Sequence, residues 1–198
     1  MYKKQLGFQK TACLLAVVSS AIWFIYSLGM ITDIYDALYF TMLDPEDLTS
    51  TLVEGSILYY DMQAFNKLFL YASIALILLS CLLYLTNTHV RRKYYIGNYV
   101  AAGLYSAAAL AVAIWSHVEI SAFKTQFLTT VDFEALKQWS ETLPSIKYTE
   151  STTLLDLHLL VAAIAVISVV AMAVNVWWKR KVMRGEDALI AAGKEATV

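Results

Sequence analysis

The sequence lacks most of what a soluble or secreted domain contains. Only 16% of its 198 residues are charged, against about 25% in a typical soluble domain. Its two cysteines exclude a disulfide scaffold, and its two prolines and seven glycines exclude collagen-like and low-complexity sequence. Since 59% of the residues are hydrophobic and the mean hydropathy is +0.57, the chain is expected to be a membrane protein.

The motifs of several enzyme and nucleotide-binding classes are also missing. There is no GxxxxGK[ST], GxGxxG, HExxH or GxSxG motif, so neither a nucleotide nor a nucleic acid is expected to bind. Cys13 and Cys81 both lie within apolar runs and form no CxxC pair, which argues against thiol–disulfide chemistry. The sequence therefore favours a protein that is not an enzyme, and no cofactor is expected.

Four apolar runs are long enough to cross a membrane. A helix needs about 20 mostly apolar residues to span the hydrocarbon core, and the four runs cover about 11–32, 68–86, 94–116 and 154–178. They are continuous rather than alternating, which predicts helices and excludes a β-barrel. The predicted fold is an all-α integral membrane protein, a four-helix transmembrane bundle forming one domain over 1–198. Trp23 lies in the middle of the first run and is expected to pack inside the bundle.

The distribution of basic residues predicts the orientation. Eleven of the 15 lysines and arginines lie before the first run, between the second and third, or after the fourth. Positive charge is enriched on the cytoplasmic side of membrane proteins, so both termini are predicted to be cytoplasmic. Segments 33–66 and 117–153 would then be extracytoplasmic. The compactness of the chain and the absence of glycosylation sequons favour the cytoplasmic (plasma) membrane of a bacterium.

Short amphipathic helices are predicted in both extracytoplasmic segments. Asp44 and Pro45 make a strong helix start, and that helix would run into the second span with Gly55 as its weak point. In the second segment Asp132 is suited to cap a helix that ends before Pro144. Its apolar face, spaced by three or four residues, consists of Phe133, Leu136, Trp139 and Leu143. Such a face either covers the outer ends of the spans, or it docks a partner or binds lipid.

Small and amide side chains suggest how the spans associate. Small residues let helices approach closely in lipid, and Gly103, Ala107 and Ala111 form such a stripe on the third span. We expect this stripe to pack against Ala162 and Ala165 of the fourth span. Asn98 and Asn175 fall in the inner leaflet, where an amide needs a hydrogen-bonding partner. We interpret both amides as forming hydrogen bonds between helices. The alternative is that they belong to a polar pathway.

The best candidate for chemistry is a pair of short motifs at the extracytoplasmic boundary. His117 and Glu119 close the third span, and Asp156 and His158 open the fourth. Two histidines and two carboxylates would suit Zn²⁺ or another divalent metal, and paired histidines also ligate haem. Residues two apart on a helix point about 200° apart, so one member of each pair would face inward. The two histidines are placed so that they can meet.

These observations favour a non-enzymatic accessory, assembly or sensing subunit of a larger membrane complex. It would lie in the lipid bilayer and dock to another membrane protein, or to itself, through the third and fourth spans or the extracytoplasmic helices. The alternative is a membrane-embedded metal- or haem-binding enzyme that uses His117, Glu119, Asp156 and His158. A third possibility is a channel formed by oligomerisation.

Overall fold

The computed structural model describes residues 2–32, 53–55, 57–88, 95–142 and 149–195. All regular structure in these residues is helical. The helices, in chain order, are α1 (Tyr2–Thr32), α2 (Ile57–Asn87), α3 (Ile96–Thr130), α4 (Phe133–Thr142) and α5 (Thr153–Glu195). Helices α1, α2, α3 and α5 are each long and apolar enough to cross a membrane. The prediction of four helices at the four apolar runs is confirmed.

The helices extend well beyond the apolar runs. Helix α3 continues for 14 residues past 116, and α5 continues for 17 residues past 178. Helix α1 begins nine residues before 11 and α2 begins 11 residues before 68. Hydropathy locates only the apolar part of a helix. The helix itself continues until a capping residue, a glycine or a turn stops it.

Internal contacts divide the chain into two compact units. The first unit consists of Met1–Ala21, Ala75–Ala111 and Ala163–Val198, and the second consists of Ile22–Ile74 and Val112–Ala162. Each unit therefore contains parts of α1, α2, α3 and α5. The prediction of a single domain over 1–198 stays a prediction.

Burial along the long helices recurs every three or four residues. On α1 the buried positions include Gln5, Gln9, Ala12, Ala16, Ser19, Trp23, Tyr26 and Met30. On α5 they include Leu155, His158, Val161, Ala165, Ser168, Met172, Asn175 and Lys179. This alternating spacing, 3.5 residues on average, is typical of helices that bury one narrow seam in a bundle. Trp23 is 1% exposed, which confirms its predicted place in the interior.

Several polar side chains are buried among the apolar ones in the interior. Buried side chains include amides, hydroxyls, a histidine and a lysine, whereas large exposed side chains such as Leu14, Ile25 and Leu78 are apolar. A membrane provides no water for a polar group at the surface of a spanning helix. The buried amides and hydroxyls, such as Gln5, Ser73 and Asn175, lie on faces that meet other helices.

An aromatic cluster fills part of the second unit. Phe69 is 0% exposed, and its ring lies 5.4 Å from that of Trp23 and 5.3 Å from that of Phe65. Phe65 also contacts Trp115 of α3, with ring centroids 5.1 Å apart. Tyr26 adds a polar contact, since its hydroxyl donates to the carbonyl of Leu154 at 3.1 Å. These rings join α1, α2 and α3.

Gly55 interrupts the helix that was predicted to run into the second span. Its φ is +79°, a left-handed conformation that favours glycine, and α2 begins only at Ile57. A Cβ at Gly55 would collide with the carbonyl of Thr130 and lie 2.7 Å from the Cα of Val131. The amide of Asp132 also donates to the carbonyl of Glu54 at 3.1 Å. The continuous helix through Gly55 was therefore a wrong prediction. The predicted helix start at Asp44 lies outside the described residues.

Helix α4 begins as the sequence predicted. The Asp132 carboxylate accepts a hydrogen bond from the amide of Ala135 at 3.0 Å, which is the geometry of an N-terminal cap. Leu136 is 0% exposed, and the ring of Phe133 packs on that of Phe127 with centroids 5.1 Å apart. The side chain of Trp139 and all of Leu143 lie outside the described residues. The described part of the apolar face packs against α3 of the same chain.

Candidate functional site

His117 of α3 and His158 of α5 lie side by side in the second unit. Nδ1 of His117 is 2.9 Å from Nε2 of His158, and the two rings are stacked with centroids 5.2 Å apart. His158 is 3% exposed, whereas His117 is exposed. The sequence placed these two histidines on faces able to meet, and the structure brings them into direct contact.

The hydrogen bonds of His158 fix the roles of the ring nitrogens. Nδ1 of His158 bonds the backbone carbonyl of Leu155, and because a carbonyl only accepts, this nitrogen carries the proton. In the neutral ring Nε2 is then an acceptor, so His117 donates from Nδ1. In this arrangement Nε2 of His117 is an acceptor, the form of a ring nitrogen that binds a metal ion.

The two acidic members of the predicted metal site do not join the histidines. Asp156 accepts from Lys124 at 2.5 Å through one carboxylate oxygen and from Thr152 at 2.8 Å through the other. The described residues contain no group of three or more His, Cys, Asp or Glu side chains arranged to hold a metal ion. The Lys124 ammonium explains the difference for Asp156, since it neutralises the carboxylate that a cation would otherwise attract. Glu119 is half-buried.

A second polar cluster lies in the first unit and joins three helices. Nε2 of Gln5 donates to Oδ1 of Asn175 at 3.0 Å and to Oε1 of Gln9 at 3.3 Å. Gln9 in turn donates to the carbonyl of Asn87. We call Gln5, Gln9, Asn87 and Asn175 the amide cluster, and each of its side chains is at most 1% exposed.

Gln9 of the amide cluster and Asn98 donate to two of the last carbonyls of α2. The last carbonyls of a helix have no partner within that helix, and in lipid each unpaired group costs several kcal/mol. Gln9 of α1 donates to the carbonyl of Asn87, and Nδ2 of Asn98 donates to that of Thr86 at 2.5 Å. Oδ1 of Asn98 also accepts from the amide of Tyr95 at 2.9 Å, which caps the start of α3.

Sequence reasoning missed several of these polar residues. Gln5 and Gln9 lie before the first apolar run and were given no role, and Lys179 was counted only with the basic stretch that follows the fourth run. All three are buried. The available signal was spacing: Gln5 and Gln9 are four residues apart, as are Asn175 and Lys179, so each pair shares one helix face.

The small-residue stripe of α3 is exposed instead of being buried against α5. Gly103, Ala107 and Ala111 are exposed, and no atom lies within 4 Å of a Cβ built at Gly103. The buried face of α3 instead contains Ala102, Tyr105, Ala109 and Ala113. The predicted packing of the stripe against α5 was therefore wrong, although Ala165 of α5 is buried and Ala162 is half-buried.

Tyr105 is the physical reason for this rotation of α3. Its hydroxyl lies 2.7 Å from that of Ser168 on α5 and 3.4 Å from the carbonyl of Ala16 on α1. A tyrosine hydroxyl needs such partners when it is buried, and it finds them only if its own face turns inward. Gly103 and Ala107 lie two residues on either side of Tyr105, so both point away.

Comparison with family models, curated proteins and solved structures finds no match to this chain.

Proposed function

We propose that this chain is a non-enzymatic accessory, assembly or sensing subunit that docks against another membrane protein. The observation that carries the proposal is the exposed stripe of Gly103, Ala107 and Ala111 on α3. Small residues spaced by four let a second helix approach the backbone closely, and this packing is a main source of helix association in lipid. Within the described part of the chain, the other helices leave all three positions of the stripe uncovered.

We propose an orientation with both termini in the cytoplasm of a bacterial cell. The eleven basic residues on that side support this proposal. Exposed Lys3, Lys4 and Arg184 lie on parts of α1 and α5 that belong to the first unit. Helix α4, which begins directly after α3, would then lie on the extracytoplasmic side. The Leu136 face of α4 is already buried, so α3 is the better candidate for docking.

Site-specific crosslinking combined with a bulky substitution tests the docking face. A photo-crosslinking residue at Ala107 should capture a single membrane protein from native membranes, whereas the same residue at exposed Ala75 of α2 should not. Ala107→Leu should abolish co-purification of that protein in mild detergent. Ala75→Leu is the matched control, because it adds the same side chain to an exposed alanine of another helix.

The crosslinked product distinguishes the possibilities. A crosslink to a second copy of the chain would show that the docking face serves self-association. Ion flux in liposomes would then test whether the oligomer is a channel. Equal capture at Ala107 and Ala75, or a partner retained by Ala107→Leu, would contradict the proposed docking face.

The histidine pair favours a second candidate function, a metal-binding membrane enzyme. Two imidazoles on one tetrahedral Zn²⁺ have nitrogens about 3.3 Å apart, given Zn–N distances near 2.0 Å, and the pair is separated by 2.9 Å. Small side-chain movements would therefore allow joint ligation. The stacked pair does not fit haem, because axial nitrogens lie on opposite sides of the iron, about 4 Å apart.

Metal analysis tests this second candidate. The protein purified without chelator should contain about one zinc or other divalent ion per chain, and the His117→Ala, His158→Ala double variant should contain none. Glu119→Gln and Asp156→Asn would show whether either carboxylate also binds the ion. A wild-type chain that neither retains nor takes up metal would exclude this candidate.

A further inference from the structure

A groove of about 390 Å³ lies between α3 and α5 within the first unit. Small residues form part of its lining, among them Gly103 and Ser106 from α3 and Ala173 from α5. Ala173 is exposed, and a Cβ at Gly103 would meet nothing within 4 Å. The groove is therefore open along the outer surface of the two helices.

One end of the groove is aromatic and cationic. Tyr99, Trp177 and Arg180 line it there, and the guanidinium carbon of Arg180 lies 5.1 Å from the centroid of the Tyr99 ring. The N–H donors of a guanidinium lie in its own plane and are suited to bind a phosphate. Trp177 is 63% exposed, as expected of an aromatic residue at a membrane–water boundary.

The length of the groove matches one leaflet of a bilayer. Its lining on α5 runs from Met172 to Arg180, which is about 12 Å at 1.5 Å per residue. Half of the hydrocarbon core is about 15 Å thick. A lining of small and apolar residues with a guanidinium at one end complements an acyl chain that carries an anionic headgroup.

We propose that this groove binds one anionic phospholipid. The acyl chain lies along Gly103, Ser106 and Ala173, and the headgroup phosphate lies against Arg180. The docking face proposed above uses Ala107 and Ala111, which do not line the groove. Only Gly103 is shared, so substitutions at Ala173 and Arg180 test the lipid site separately from the docking face.

Diffuse attraction between basic residues and anionic lipid is the competing explanation. Arg184 is also exposed on α5, lies one turn beyond Arg180 and does not line the groove. A general surface charge effect would depend equally on both arginines. Binding in the groove depends on Arg180 and on the space above the small side chain of Ala173, whereas Arg184 contributes little.

Native mass spectrometry of the full chain in mild detergent tests the site. The protein receives equal amounts of dioleoylphosphatidylglycerol and dioleoylphosphatidylcholine, which differ only in headgroup. We expect the wild type to retain about fivefold more phosphatidylglycerol than phosphatidylcholine, which is the effect of one charge near a membrane surface. Arg180→Gln should remove that preference, Arg184→Gln should keep it, and Ala173→Leu should lower retention of both lipids.

Three results would overturn the proposal. The first is equal retention of the two lipids by the wild type. The second is an equal loss of the preference for phosphatidylglycerol in Arg180→Gln and Arg184→Gln. The third is lipid retention by Ala173→Leu at the level of the wild type. Leucine is a good helix former and Ala173 is exposed, so the Ala173→Leu variant is expected to fold and decides the matter even if Arg180→Gln aggregates. Ala107→Leu should leave lipid retention unchanged.

Discussion

Nδ1 of His117 and Nε2 of His158 are bonded to one another at 2.9 Å, and this contact links α3 to α5. The bond connects an exposed ring to one that is 3% exposed. His158 is held from its other side by the carbonyl of Leu155, so its orientation is fixed and His117 adapts to it. The pair therefore acts as a structural contact whatever else it binds.

A double-mutant cycle should detect this contact. We expect His117→Ala and His158→Ala each to lower the melting temperature in detergent. The double variant should lose less than the sum, by a coupling of about 0.5–1.5 kcal/mol, since each single variant already breaks the bond. Val118 is 60% exposed, so Val118→Ala combined with His158→Ala is the additive control. Strict additivity of the two histidine variants would contradict the bond.

The rotation of α3 about Tyr105 leads to a second prediction. Tyr105→Phe removes the bond to Ser168 with little change in volume. We expect a loss of roughly 0.6 kcal/mol and at most about 1.7 kcal/mol, as for hydrogen bonds within other membrane proteins. Tyr71→Phe is the control, because Tyr71 is 65% exposed. Thermal unfolding in one detergent compares the two, and equal effects of both substitutions would argue against the buried bond.

The sequence predicted the number and position of the long helices because apolar runs of about 20 residues have few other uses. It also predicted the Asp132 cap, since cap residues act over one turn of helix. It failed on the face of α3 because glycine and alanine occur all round that helix. Small residues permit close packing on any face of a helix, whereas the buried hydroxyl of Tyr105 needs partners and so indicates which face turns inward.

The candidate site shows the same limit of sequence reasoning. Helical geometry placed His117 and His158 within reach of each other, but Lys124 was not predicted to engage Asp156. Lys124 lies two turns from His117 along α3, in the segment that hydropathy placed beyond the end of the third span. Because the length of α3 beyond residue 116 was missed, the lysine that occupies one predicted metal ligand was missed with it.

The turn at Gly55 gives a third prediction. Gly55→Ala places a Cβ at positive φ and against the backbone of Thr130. We expect a loss of at least about 1–3 kcal/mol of stability, from the strained conformation and the collision together. Gly7→Ala should instead gain about 0.5–1 kcal/mol, since Gly7 lies within α1 with open space around it. Thermal unfolding of the two variants should shift in opposite directions, and a neutral Gly55→Ala would contradict the turn.

The proposed orientation predicts which ends of the helices are reachable from outside the cell. In a Cys13→Ala, Cys81→Ala background, single cysteines at exposed Glu150 and exposed Arg184 report the two sides. A membrane-impermeant maleimide added to intact cells should label Glu150→Cys and leave Arg184→Cys unlabelled, because eleven of the 15 basic residues lie on the second side and the proposed orientation therefore places it in the cytoplasm. Both positions should react after the cells are opened, which shows that each thiol is accessible. Labelling of Arg184→Cys in intact cells would invert the orientation and place the Arg180 end of the α3–α5 groove in the outer leaflet.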